Sequence, residues 1–321
     1  MDINQIIDSL LEAIKMPFSY IASNSGKRIY WLYLLSSAVI AFLVFRYSKR
    51  REKNFFKYIL NKNVWLSKSA FVDYLLLIFN GFVKVFFIGP YLILGLYLAF
   101  YVNEYLAQSF GFPEQSLSPT LTVVLYTIVL TIVGDFFSFF IHYIMHKVPF
   151  LWEFHKIHHS ATTMNPVTQY RIHPVELILT NITSIFVFGV VTGVFDYLSN
   201  HQVSKWTFIG VNVFGFLFMF LGANLRHSHV KLKYPTFLEK FLISPYQHQI
   251  HHSNAVKHYD KNMGSKFAFW DWMFGTLVLS KDAKKIEFGL GQGDDKNYVS
   301  FWQNLYMPFK NLYLSLTKLF K

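Results

Sequence analysis

Cysteine is absent from the 321 residues, which removes disulfides, thiolate nucleophiles and every cysteine-bearing zinc site. Charge is scarce as well. Asp, Glu, Lys and Arg make up 15% of the chain, against about 25% in an average soluble domain. Acids are the rarer sign, 18 against 30 Lys and Arg, for a formal charge of +12. So few charges cannot build the wet basic face of a nucleic-acid-binding protein, and no nucleic acid partner is expected. What is present is grease: hydrophobic residues reach 53% and aromatics 20%. That excludes disorder, a coiled coil and an ordinary soluble enzyme. A basic, greasy chain reads as a membrane protein with its cations at the lipid headgroups.

No basic-then-apolar leader opens the chain, so no cleavable signal is expected. Ile3, Ile6, Ile7, Leu10, Leu11 and Ile14 recur at helical spacing, which predicts an amphipathic helix, either interfacial or packed. Ile29–Phe45 is a first apolar span, followed by Arg46, Lys49, Arg50, Arg51, Lys53 and Lys57, a solvated face on the cytoplasmic side. Residues 71–103 are too long for one straight span and break at Gly89-Pro90. The loop 104–119 carries acids and no Lys or Arg, and so faces away from the cytoplasm. Further spans are expected over 120–141, 177–195 and 206–225, the last two as an apolar hairpin. Repeats and low-complexity linkers are missing, so the chain reads as one integrated unit.

All 13 histidines fall between His142 and His258. His142 and His146 form H-x-x-x-H at the end of a span, and His155, His158 and His159 form H-x-x-H-H nine residues later. His248, His251 and His252 repeat H-x-x-H-H. Helical positions i, i+3 and i+4 share one face, so each group can aim imidazoles at one point. Placing this many hydrophilic rings near a bilayer is costly without a partner. Eight nitrogen donors exceed what one metal accepts and suffice for two sites. Without cysteine the candidates are Zn, Cu, Fe, Mn and Ni; redox chemistry at a bilayer favours iron. His201, alone in a turn, reads as an ordinary surface residue. The positive-inside bias puts both His-rich segments, 142–175 and 226–260, on the cytoplasmic side.

These motifs resemble the fatty acid hydroxylase/sterol desaturase superfamily of integral-membrane di-iron oxygenases, in its bacterial form, over about residues 120–280. Flanking residues agree: Asp135 seven positions before His142, Phe154–Ser160, Tyr170–Glu176, Asp260–Gly264 and Trp270–Thr276. Lys147 with Val148-Pro149 departs from some subfamilies, but no motif histidine is missing. The resemblance implies an all-α fold, a bundle of about four core membrane helices plus extra N-terminal spans, capped by a cytoplasmic His-rich domain. The implied division is an N-terminal region 1–119, a catalytic domain 120–280 and an amphipathic tail 281–321. It also implies two iron ions, with zinc as an as-purified substitute, and O₂-dependent hydroxylation or desaturation of a fatty acyl, ether-lipid or sterol-like substrate. His227, in Leu225–His229, becomes a ninth ligand. His173, His229 and His258 are further ligands or outer donors, and Asp135, Glu153, Glu176 and Asp260 are carboxylates available to orient the rings. No catalytic residue beyond the metal centre is implied.

Gly289-x-Gly291-x-Gly293 follows no strand and opens no helix, so it is no dinucleotide fingerprint. Electrons would come from a separate ferredoxin or cytochrome with its reductase, docking on basic residues of the cytoplasmic face. The expected location is the bacterial inner membrane, multi-pass. The competing reading is a zinc-binding or transporting membrane protein without redox chemistry. Transport sites lie near the midplane on broken helices, whereas these histidines gather at span ends and loops. An intramembrane zinc protease would need H-E-x-x-H, which is absent. A bis-His haem protein would need single histidines on facing helices.

Overall fold

Long apolar runs with helical propensity, capped by Ser-Pro and His-Pro, give the molecule its frame. The computed structural model describes residues 3–48, 52–201, 203–283 and 285–319. Lys49, Arg50 and Arg51 of the expected basic run lie outside them. Helix α1 (Ile3–Ala22) leads into α2 (Trp31–Tyr47), the short α3 (Phe55–Ile59) and α4 (Lys62–Trp65), and then α5 (Lys68–Val83). The apolar stripe of α1 is not packed: Ile3, Ile7 and Leu11 are exposed and only Ala13, Pro17 and Tyr20 are buried. It crosses α5 closely at Gly81, where a Cβ would lie 2.7 Å from the Ala13 carbonyl oxygen.

The expected break falls where Gly89-Pro90 predicts it. A π-type turn over Lys84–Ile88 and a 3-10 turn over Gly89–Tyr91 separate α5 from α6 (Leu94–Phe110). Ser118 caps α7 (Pro119–Lys147), accepting from the Leu121 amide with Pro119 at the first position. Next come α8 (Pro149–His159) and α9 (Pro174–Leu198). Three helical stretches, Lys68–Phe110, Pro119–Lys147 and Pro174–Leu198, are long and apolar enough to cross a membrane. Small residues set their spacing. A Cβ on Gly193 would lie 2.5 Å from the Ala99 carbonyl oxygen, so α9 lies against α6 almost backbone to backbone. Between α7 and α9, the Tyr126 and Thr192 hydroxyls meet at 2.8 Å. Large apolar side chains such as Phe100, Ile132 and Ile182 face outward, as lipid-facing helices require. The chain is an all-α membrane helical bundle.

The expected span over 206–225 is not one. Thr207–Phe208 (β1) pairs antiparallel with Val211–Asn212 (β2) through a turn with Ile209 and Gly210 at positive φ. Asn212 then caps an eight-residue helix, α10 (Val213–Phe220), which Gly222 ends in the left-handed conformation. A hydrophobic run of membrane length is thus spent on a hairpin and two turns of helix. Asparagine and glycine punctuation, not the apolar content of the run, decides it.

A 3-10 turn over Ala223–Arg226 delivers His227. Ser244 and Gln247 form a reciprocal capping box on α11 (Pro245–His251), followed by α12 (Phe269–Met273). The C-terminal α13 (Phe301–Leu319) lies against α8, and Met307 and Tyr298 share a core with Ile157 and Leu76. Arg171 ties these elements together. It is 1% exposed and donates to Asp73 of α5 at 3.1 Å, Ser160 at 2.9 Å and the Ile157 and Tyr298 carbonyls. Gly289, Gly291 and Gly293 all take positive φ in a loop, and the Asp295 carboxylate accepts from the Leu290 and Gly291 amides.

Candidate metal centre

The histidine motifs close on two adjacent groups. The first joins His142, His146, His155, His159 and His251; the second joins His158, His227, His248 and His252. Within each group one ring nitrogen per residue lies within 4.8 Å of all the others. Neither H-x-x-H-H motif aims at a single point. In α8 the i, i+4 pair His155/His159 enters the first group and His158 the second; at α11 the pair His248/His252 enters the second and His251 the first. Residues four apart differ by about 40° around a helix, while the third is offset about 60° the other way. Each motif therefore straddles both groups.

The outer ring nitrogens are held by one short loop. His142 Nδ1–H donates to the Met263 carbonyl at 2.7 Å, and His251 Nδ1–H to the Lys261 carbonyl at 2.7 Å. His146 Nδ1 meets the Asp260 carboxylate at 3.2 Å. Asp260 and Asn262 both adopt positive φ, and this turns residues 261 and 263 toward the rings. Backbone strain of that kind persists where surroundings over-determine it. Here the Asp271 carboxylate accepts the Met263 and Gly264 amides at 2.7 and 2.8 Å and the Thr276 hydroxyl at 2.6 Å. Burial pushes the Asp271 carboxyl up to about 6 despite these donors. Elsewhere, His155 Nδ1 meets Glu176 Oε1 at 3.0 Å and His158 Nδ1–H points at the Arg171 carbonyl at 3.3 Å.

Where Nδ1 donates to a carbonyl, as in His142, His158 and His251, Nε2 keeps a lone pair. His142 Nε2 faces His155 Nε2 at 3.0 Å, and His227 Nε2 faces His158 Nε2 at 3.3 Å and His248 Nε2 at 3.2 Å. The buried Nε2 atoms of His146, His159 and His251 have no hydrogen-bond partner among the described residues. Burial holds His155 and His158 down to about 3 and pushes His159, His227, His248, His251 and His252 well below the usual imidazole range. The rings are neutral at physiological pH, the state that binds a metal. Converging neutral lone pairs are a donor set that a cation completes. Nine imidazoles and no thiolate suit a borderline transition metal.

Other expected residues lie elsewhere. His173 caps α9: its Nδ1 accepts the Val175 amide at 3.1 Å and Nε2–H donates to the Leu305 carbonyl at 3.2 Å. His229 donates to the Tyr58 carbonyl at 2.8 Å and His258 is buried as the last residue of the 3-10 turn 256–258; both stand outside the two groups. Asp135 touches no imidazole. It is fully buried on α7 and accepts the Lys266 and Phe267 amides and the Trp270 indole, anchoring the loop that carries Met263. Glu153 pairs with Lys156, and His201 is exposed beside Asp196. The carbonyls of Arg171, Lys261 and Met263 were not readable from side-chain motifs, although they fall in the family-like runs Tyr170–Glu176 and Asp260–Gly264.

A cavity of about 560 Å³ adjoins the histidines, touching His142, His155, His158, His227 and His248. It continues between α7 and α9 along Leu130, Phe137, Ile141, Val187 and Phe188.

A family model for fatty acid hydroxylase matches residues 127–276. Among curated relatives, the chain is 23% identical over 187 residues to a protein of Dictyostelium discoideum named as a putative methylsterol monooxygenase, covering 58% of this chain and 63% of the relative. It is 24% identical to the ornithine lipid hydroxylase OlsE of Rhizobium tropici over 56% of this chain and 48% of the relative. It is 26% identical to an alkylglycerol monooxygenase of Xenopus tropicalis over 50% of this chain and 32% of the relative. The similarity thus spans a third to two-thirds of these relatives' lengths. No solved structure matches the chain.

Proposed function

Through residues 127–276 the chain belongs to the fatty acid hydroxylase/sterol desaturase superfamily, and from that premise we propose that it is a membrane monooxygenase using two irons and O₂ to hydroxylate a C–H bond of a lipid-like substrate. The observation that carries this reading is the gathering of nine imidazoles in two groups, five of which line a cavity that runs on between apolar side chains of α7 and α9. His142, His146, His155, His159 and His251 would hold one iron, and His158, His227, His248 and His252 the other. Iron bound there would supply O₂ activation, chemistry no side chain offers. The relatives named for methylsterol, ornithine lipid and alkylglycerol substrates support lipid oxidation.

The chain's own residues bind, orient and exclude water. Glu176, Asp260 and the Arg171, Lys261 and Met263 carbonyls keep Nδ1 protons in place and so aim Nε2 inward. Phe137, Ile141 and Val187 present a dry wall to an apolar chain. Two electrons per turnover would come from a ferredoxin or cytochrome with its reductase, drawn to the Lys-bearing face around the histidines. That face is assigned to the cytoplasmic side of a multi-pass inner-membrane protein from the Lys/Arg bias. Anaerobic purification with metal analysis and Mössbauer spectroscopy tests the reading. Two irons per chain are expected; fewer than two metals, or zinc alone even after iron reconstitution, overturns it.

A further inference from the structure

The cavity wall carries cationic as well as apolar side chains. Lys27 and Arg28, in the turn between α1 and α2, line it together with Lys84 from the break after α5 and Arg226 beside His227. The four are drawn together by two rings. Lys27 Nζ and Lys84 Nζ each lie 5.1 Å from the Tyr20 ring, and Lys84 donates to the Tyr20 hydroxyl at 3.0 Å. Arg28 and Arg226 lie 5.4 and 5.1 Å from the Phe218 ring. Among the described residues none of the four has a carboxylate within ion-pair distance.

Glu176 is the one acid on the cavity wall, and its Oε1 is taken by His155. Arg226 is 2% exposed, donates once to the Gly264 carbonyl at 3.3 Å, and its buried Nε has no partner. Cations that only mark membrane sidedness need water, and these are half-buried or buried. Asp135 and Asp271 attract Arg28 and Arg226 only from beyond contact, and both carboxylates are engaged by amides of the 263–267 loop, so four cations withdrawn from water on one wall call for a further anion.

We infer that the cavity takes an amphiphile with an acidic headgroup, a carboxylate or a phosphate, held by Lys27, Arg28, Lys84 and Arg226 while its apolar chain runs between α7 and α9 past the histidines. This rests on the oxygenase reading for calling the amphiphile a substrate; binding itself does not.

The test uses the full chain in phosphatidylcholine nanodiscs and reads binding. The fluorescent cis-parinaric acid and its methyl ester are titrated in parallel, with lysophosphatidic acid, inorganic phosphate and phosphatidylglycerol as competitors. The acid is expected to bind about tenfold tighter than the ester, with competition from lysophosphatidic acid and none from phosphate alone. In K27A/K84A and in R28Q that preference shrinks to near unity while ester binding and metal content stay as in the unaltered protein. Equal binding of acid and ester, or an unchanged preference in well-folded variants, overturns the inference. Competition by phosphatidylglycerol overturns the assignment to a substrate and makes the site one for bulk membrane lipid. Metal content, measured on the same samples, reports separately on the oxygenase reading.

Discussion

His142 Nε2 and His155 Nε2 face each other at 3.0 Å while their Nδ1 atoms are committed to Met263 and Glu176. Two lone pairs meet there with no proton between them. A cation turns this repulsion into coordination, and with it a cost of folding into a gain.

Metal removal should therefore destabilise the protein itself. A ligand present at a hundred times its dissociation constant contributes about 2.7 kcal/mol. Chelation in detergent should lower the thermal unfolding midpoint by several degrees, and ferrous iron should restore it. An unchanged midpoint would show that the imidazoles do not share a bound ion.

Glu176 acts on the metal through His155 and is a positioning residue. Replacing it with leucine should weaken iron retention about 10- to 100-fold, measured by competition with a chromophoric chelator. Glu176→Gln keeps an acceptor for His155 Nδ1–H and should stay within a few-fold of the parent. If both variants lose iron equally, charge rather than ring orientation is what Glu176 contributes.

Arg171 and Asp73 form a buried pair 3.1 Å apart, 1% and 0% exposed. Removing one partner strands the other's charge, so Arg171→Ala should cost about 3–5 kcal/mol. Arg171→Met combined with Asp73→Leu should recover much of that loss in thermal unfolding. Failure of the pair to recover would place Arg171's value in its contacts to Ser160 and the Tyr298 carbonyl.

His173 gives a pH dependence outside the metal site. Burial holds it down to about 4 against an ordinary 6.5, and its neutral Nδ1 accepts the Val175 amide. The unfolded chain therefore takes up this proton first. Stability should fall as pH drops from about 6.5 toward 4 and be flat above that window. His173→Asn, which preserves a cap, should flatten this contribution, whereas His173→Ala should also cost about 1 kcal/mol at neutral pH. A slope unchanged in both variants would assign the dependence to other groups.

The membrane helices were legible because apolar length and composition alone specify them: 120–141 and 177–195 lie inside α7 and α9. The run 206–225 misled because its apolar residues mask Gly210, Asn212 and Gly222, which set a hairpin and a short helix. The nine histidines that meet were readable as motifs, but their division between two groups depends on helix rotation and tertiary placement. Asp135 was readable as a noteworthy acid and not by its partners, since Lys266 and Phe267 lie over 130 positions away. His173 carried a local signal, His-Pro at a helix start, that a histidine tally overlooks.

The straddling of α8 and α11 across both groups has a consequence for descent. One residue inserted or lost ahead of the histidines in either helix turns all three by about 100°, which withdraws donors from the two groups at once. Such a shift cannot be borne by one group and spared by the other, so it removes both together.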